Sequence, residues 1–399
     1  MTTLTSGFSQ PEVRPPAELT SAFDLCVRKT HANIRRLADQ PEESTWSWHQ
    51  EGKYWDWREN FFAIGNWTTS FITGMALLAY RQTHNPYFLT QASRLAPLYQ
   101  RKVSGPAEDT MHDLGFLYSL YSVALHQFTK DPQHRATALR AAEVLAARFI
   151  PNGRFIRAWG RMDSPGVDTV GDGFIPTNDM AIVDCMMNLP LLYWASVQTG
   201  EAKFRDCAVA HADTTLANFI RSDDSVFHAF RFDLTTGKPL GGENYCGHAV
   251  NSHWARGTAW AIYGFALSHR YTGDKKYLAA ALRLSRKFID SLDAEGVPVW
   301  DFRLSPGEIP LRDSSAAAIA VCGFQELQRQ GAADDSMLRA KQRLLSRLCG
   351  SDYLNADDTC GGLLRNGQVG RAQNAYTSWG DYFLMEALAV ELGMTSTFW

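Results

Sequence analysis

The chain has 399 residues, 45% of them hydrophobic, enough apolar material to fill one large core or two ordinary ones. Its 39 Lys+Arg nearly balance 42 Asp+Glu, a formal net charge of −3, and no basic stripe or charge run offers a surface to nucleic acid or to a membrane. An acidic ligand must therefore be met by a few local groups.

The first stretch, MTTLTSGFSQPEVRPP, has no positive region followed by an apolar one, and no apolar run is long enough to span a bilayer. We expect a flexible segment over 1–16, an untargeted cytoplasmic chain, and a single catalytic domain over 17–399. The seven cysteines (26, 185, 207, 246, 322, 349, 360) are odd in number and lack CxxC spacing, which predicts reduced thiols and neither disulfides nor structural zinc.

Helical periodicity dominates the remainder and predicts about twelve segments: 17–39, 66–83, 87–103, 111–128, 133–149, 179–199, 202–221, 254–272, 275–293, 313–330, 334–349 and 378–392. Four joints look alike: Thr83-His-Asn-Pro-Tyr87, Thr129-Lys-Asp-Pro-Gln133, Thr199-Gly-Glu-Ala-Lys203 and Thr272-Gly-Asp-Lys-Lys276. Each supplies a helix stop and then a cap or Pro for the next start. The first helix of a pair is apolar on nearly every face, as from Phe71 to Tyr80, whereas the second is amphipathic, as from Lys275 to Lys287. Six such hairpins closing on themselves make an all-α (α/α)6 barrel of inner and outer helices; an eroded helical solenoid is the alternative. Long loops over 150–178, 222–253, 294–312 and 350–377 would crown one rim, with short strands in 154–175 and 226–245.

Two inner segments carry a single formal charge each. Between Thr110 and Thr129 it is Asp113, and between Met180 and Gly200 it is Asp184. A buried carboxylate without a partner costs several kcal/mol or gives up its charge, so these two are the candidates for acid/base chemistry. Asp113 also reads as a first-turn helix cap, and Asp184, more than a turn inside its predicted helix, as a satisfied core aspartate. The apolar neighbours Cys185, Met186 and Met187 should raise the pKa of Asp184, making it the better general acid.

If the inner helices run parallel, further clusters converge at the same end: Asn66-Trp67-Thr68, His112-Asp113, Asn178-Asp179, Trp254 to Trp260, Arg312 to Ser315, and Ser378 to Tyr382. Trp67, Trp159, Trp254 and Trp260, with the indoles between Trp46 and Trp57, could face a sugar ring or simply anchor core and loops. Arg256 either grips a substrate carboxylate or pairs with a nearby Asp. His248 and His253 in one loop are weak metal-ligand candidates, and no metal or cofactor is expected.

Several segments, in this order along the chain, resemble the unsaturated glucuronyl hydrolases, glycoside hydrolase family 88. They are Gly65-Asn66-Trp67 with Gly74-Met75, His112 to Phe116, Asp184 to Trp194, Phe227-His228, Trp254-Ala-Arg256-Gly257 with Trp260, Asp313 to Ala316, and Gly380 to Phe383. The resemblance independently implies the (α/α)6 barrel. It also implies hydration of a C4=C5 enol ether in an unsaturated uronate at the non-reducing end of a lyase-generated oligosaccharide. Asp184 matches the acid/base and Asp113 the second aspartate. Trp67 matches the stacking platform, and His228, Arg256 and Trp260 match sugar-binding residues. His112, Trp159, Cys246 and Trp379 complete the expected substrate-binding set, in a monomer or homodimer.

Tyr245-Cys246-Gly247 stands where the family often has His-Gln-Gly, and Thr258 where Gln is common. A thiol cannot replace an amide's hydrogen bonds, so substrate preference should differ. The competing readings are an unsaturated rhamnogalacturonyl hydrolase, an inverting glycosidase on saturated sugars, an epimerase of the same barrel type and a non-catalytic sugar-binding barrel.

Overall fold

A computed structural model describes residues 17–40, 44, 60–105, 110–164, 167–170, 173–369 and 372–399. The expected flexible segment over 1–16 and the indoles from Trp46 to Trp57 lie outside the described residues. In chain order the helices begin with α1 (Ala17–Ala38), α2 (Thr69–Thr83), α3 (Pro86–Ser93), α4 (Ala96–Ser104), α5 (Leu114–Tyr118), α6 (Ala124–Thr129) and α7 (Pro132–Ala146). Short strands follow: β1 (Phe149–Ile150), β2 (Phe155–Ile156), β3 (Val167–Val170), β4 (Gly173–Pro176) and β5 (Met180–Ile182). Then come α8 (Leu189–Thr199), α9 (Ala202–Asn218), β6 (Ala229–Phe232), β7 (Pro239–Glu243), α10 (Ala255–Thr272) and α11 (Lys275–Asp290). The chain closes with α12 (Ser314–Arg329), α13 (Asp335–Cys349), β8 (Gly367–Val369), β9 (Ala372–Ala375) and α14 (Ser378–Glu391).

The apolar helices form a closed inner ring. Around it α2 packs on α5, α5 on α8, α8 on α10, α10 on α12, α12 on α14 and α14 back on α2. The amphipathic helices pack outside, and α1 sits against α2 and α14 to complete the sixth pair. This is the expected (α/α)6 toroid, and the closure of α14 on α2 excludes the open solenoid.

The four look-alike joints share one hydrogen-bond pattern. Each Thr hydroxyl donates to the carbonyl four residues back and accepts the N–H two residues on: Thr83 from Asn85, Thr129 from Asp131, Thr199 from Glu201 and Thr272 from Asp274. Between them His84, Lys130, Gly200 and Gly273 take the left-handed conformation that ends the helix. Asn85, Asp131 and Asp274 then cap the next helix through their side chains; Glu201 does not.

Three predicted helices are interrupted. The 87–103 segment breaks into α3 and α4 around Arg94. The 111–128 segment starts at Leu114 and widens to a π turn over Ser119–Val123. The 179–199 segment begins as β5, which pairs with β6, continues as a 3₁₀ turn over Val183–Met187, and becomes α-helical only at Leu189. Pro190 explains that start, since proline fits the first helical turn and disrupts an interior one. Asp184 therefore does not lie a turn inside a helix as expected; it sits in the first 3₁₀ turn, at the barrel mouth.

Candidate active site

Asp113 occupies the N-cap position of α5 but makes no side-chain cap bond. Its Oδ1 instead accepts from Asn188 Nδ2 at 3.1 Å and lies 3.2 Å from His112 Nε2. The Asn188 Oδ1 accepts the Phe116 backbone N–H at 3.0 Å, so one amide locks the α5 start to the residue preceding α8. Gly115 permits this approach: a Cβ there would lie 2.2 Å from Asn188 Cα. The capping alternative for Asp113 is thus replaced by a side-chain cluster.

His112 is fully buried, and its Nδ1 accepts the Trp159 backbone N–H at 3.1 Å. An imidazole that accepts at Nδ1 carries its proton on Nε2, the atom turned toward Asp113. Burial, reinforced by Arg148, pushes the His112 pKa well below its usual value, so the ring is neutral.

A second unit has the same design. His228 Nδ1 accepts backbone N–H groups of Tyr245 at 3.1 Å and Cys246 at 3.2 Å, which leaves its proton on Nε2, 3.5 Å from Asp184 Oδ2. Burial pulls His228 down to about 3, so it too is a neutral donor. The Trp159 ring meets His112 at 6.3 Å and His228 at 5.7 Å, spanning both units.

The Asp184 side chain is 17% exposed, yet its Oδ2 is buried without a partner in hydrogen-bond geometry. Burial raises its pKa to about 7, against the opposing pull of Arg256, its own backbone and the Trp260 indole. A carboxyl divided between acid and anion at neutral pH can deliver a proton and take one back.

The other expected residues surround these units. Trp67, half-buried, stacks on Trp379 at 4.8 Å, and Trp379 Nε1 donates to Ser315 Oγ at 3.2 Å. Arg256 lies 4.7 Å over the Trp254 ring and 5.5 Å from that of Trp379. Of its two readings, the Asp pair is the one seen: Arg256 Nη1 donates to Asp313 Oδ2 at 2.7 Å and to the Gln368 carbonyl at 2.8 Å. Trp260 has no exposed face; it packs between Phe116 and Phe383, near enough to Asp184 for its N–H to favour the anion. Cys246 is half-buried close to Asp184, and burial pushes its thiol up to about 12, so it is not a nucleophile.

Some predicted members are used elsewhere. Arg312 pairs with Asp293 and Glu295, Asp179 with Arg231, and Asp381 accepts the Leu363 and Leu364 N–H groups. The backbone N–H groups of His248 and His253 both bind Asp301. Among the described residues no group of three or more His, Cys, Asp or Glu is arranged to hold a metal, and no helix is long and apolar enough to cross a membrane. Sequence reasoning named Asn188 only within a motif and missed Arg148; neither shows a charge or spacing signal that marks it.

An inner-helix toroid that gathers two carboxyls, two buried histidines and the Trp67 and Trp159 rings near one another has the parts of a carbohydrate-active enzyme. The sequence profile of Glycosyl Hydrolase Family 88 matches residues 31–385. The chain is 36% identical over 339 residues, 83% of its length and 87% of the relative's, to the unsaturated glucuronyl hydrolase of Bacillus sp. (strain GL1). It is 32% identical to the unsaturated chondroitin disaccharide hydrolase of Streptococcus pyogenes serotype M1, covering 96% and 93% of the two chains. The crystal structure of unsaturated glucuronyl hydrolase from Bacillus sp. GL1 superposes with a TM-score of 0.84 over 96% of this chain and 99% of that one, at 32% identity. This chain belongs to glycosyl hydrolase family 88 and is a glycoside hydrolase.

Proposed function

We propose that the enzyme removes a 4,5-unsaturated uronic acid from the non-reducing end of lyase-generated oligosaccharides, with Asp184 as general acid/base and Asp113 assisting. The observation that carries the assignment is the Asp184 carboxyl, raised to about 7 by burial and faced by the His228 Nε2 atom. The relatives named for unsaturated glucuronyl and chondroitin disaccharide substrates support this substrate class and do not favour the pectin-derived alternative.

Protonated Asp184 gives its proton to C4 of the enol ether, and positive charge develops at C5 and the ring oxygen. The resulting carboxylate takes a proton from water as that water bonds to C5. The hemiketal then opens at its C5–O5 ring bond to leave a C5 ketone and a hemiacetal at C1, and that hemiacetal collapses to an aldehyde as the aglycone departs as an alcohol. Asp113, bonded to Asn188 and 3.2 Å from His112 Nε2, assists by stabilising the developing charge or fixing the sugar. Trp67 and Trp159 offer surface to the sugar ring, Trp379 backs Trp67, and Cys246 provides a wall with little hydrogen-bonding capacity. Arg256, already bound to Asp313, supports the site's electrostatics and is a candidate for the substrate carboxylate. We further propose that the enzyme acts in the cytoplasm as a monomer or homodimer.

The test is to incubate the enzyme with digests from several polysaccharide lyases and follow the ultraviolet absorbance of the C4=C5 bond. Loss of absorbance with some digests supports the proposal. Turnover of saturated oligosaccharides instead would point to the inverting glycosidase reading, and wild-type rates in Asp184→Asn would remove Asp184 from its role.

A further inference from the structure

Arg148 has no exposed surface, and among the described residues no carboxylate pairs with it. Burying a cation without an anion is costly unless its donors are satisfied. Here every acceptor is a backbone carbonyl: Nε donates to Arg157 at 3.0 Å, Nη1 to Thr110 at 2.7 Å, and Nη2 to Ala158 at 3.4 Å, Trp159 at 2.8 Å and Gly160 at 3.0 Å. Arg148 follows α7, where a cation suits the helix dipole, but these donors reach past α7 to two other segments.

Those segments carry the His112 unit. One leads from Thr110 to His112. The other is the turn containing Trp159, whose φ of 36° is a left-handed conformation rarely adopted by a residue with a side chain. Held in this turn, Trp159 directs its backbone N–H at His112 Nδ1 and its ring against His112 and His228. A planar fork that directs N–H groups from three nitrogens suits carbonyls converging from two stretches of chain; an ammonium group has three donors on one nitrogen and no fixed plane.

We infer that Arg148 is a positioning residue for the active site: it holds the Ala158–Gly160 turn against Thr110, so that the Trp159 N–H fixes the His112 tautomer that faces Asp113. Arg148 touches no reacting atom. It acts through Trp159 and His112, and its charge adds to the burial that keeps His112 neutral. The inference rests on the proposed reaction for its catalytic consequence, while the tautomer is a property of the protein alone.

The test uses the full-length enzyme and two variants. Arg148→Lys keeps charge and stem but loses the fork; Arg148→Met loses both. Nitrogen NMR of the histidine rings, with His112 assigned by its disappearance in His112→Gln, should show a fixed Nε2–H tautomer in the native protein. In both variants, checked for cooperative melting, His112 should average between tautomers. Their kcat should fall by about 10- to 100-fold, the usual effect of losing a group that orients a catalytic side chain, with KM moving far less. An Nδ1–H tautomer in the native protein would overturn the inference. So would folded variants with native kcat and a fixed tautomer, and so would failure of both variants to fold, which would assign Arg148 to the scaffold. If the native enzyme consumes no unsaturated uronate, the proposed function fails, and the tautomer in the variants still decides the role of Arg148.

Discussion

Replacing Asp184 by Asn should stabilise the protein by an amount that grows with pH. Burial pushes this carboxyl up to about 7, whereas an aspartate in the unfolded chain titrates at about 3.9. Between those values the unfolded chain has released a proton that the folded chain keeps. Wild-type stability therefore falls as pH rises from about 4 to about 7 and then levels off. The full separation corresponds to roughly 4 kcal/mol, of which roughly 2.5–3 kcal/mol falls between about pH 5 and about pH 8.5. Asparagine has the same shape and nothing to titrate, so the stability of the variant relative to wild type should rise by that amount across the interval. For a chain of this length 1 kcal/mol moves the melting temperature by about 1 °C, so the two melting curves should separate by about 3 °C more at the higher pH. The same variant should lose about 10²- to 10⁴-fold in kcat, since an amide cannot protonate C4. Paired thermal melts at the two pH values are the assay. A melting difference that is the same at both would mean that Asp184 is already ionised in the folded protein, and the acid role would fall with it.

His228→Ala removes the N–H that faces the Asp184 carboxylate; the anion is then less favoured, and the alkaline limb of the kcat/KM profile should move to higher pH. Asn188→Ala leaves Asp113 and the Phe116 N–H without their shared partner, with an expected cost of about 1–3 kcal/mol by denaturant titration and a fall in kcat. Gly115→Ala places a Cβ against the Asn188 backbone. It should cost about 1–3 kcal/mol and lower kcat without removing any polar group. Asp313→Asn leaves Arg256 buried without its anion, so a loss of about 3 kcal/mol or more is expected in urea melts, together with a higher KM.

The barrel was legible because its signal is local. Inner helices such as α2 and α10 are apolar on nearly every face, and the Thr-based joints repeat within a few residues. Asp113 and Asp184 stood out because each is the lone charge of an apolar stretch. What escaped the sequence depends on distant pairing. The strand that replaces the start of the 179–199 helix exists because Met180–Ile182 pairs with Ala229–Arg231, far along the chain. The choice between two readings of Arg256 is made by Asp313, which joins it only when α10 and α12 pack. Arg148 reads as an ordinary basic residue at the end of an amphipathic helix, and its burial follows from the Arg157–Gly160 segment folding over it. Arg312 and Asp381 were expected at the mouth on the strength of their neighbours in sequence, but each had a nearer partner that claimed it.

The two His–Asp units show how one fold separates the roles of two like groups. In a toroid, residues one inner–outer pair apart in sequence become neighbours on the ring, which is why Asp113, at the start of α5, and Asp184, in the turn leading into α8, belong to adjoining staves. Each ring is pinned at Nδ1 by backbone N–H groups and presents Nε2–H to its carboxyl. The surroundings then diverge. Asp113 Oδ1 accepts from the Asn188 amide and lies 3.2 Å from His112 Nε2. The Asp184 Oδ2 has no donor in bonding geometry, and burial dominates, so it keeps its proton to neutrality. On the proposed mechanism this difference in surroundings suits Asp184 to proton transfer and leaves Asp113 to assist it.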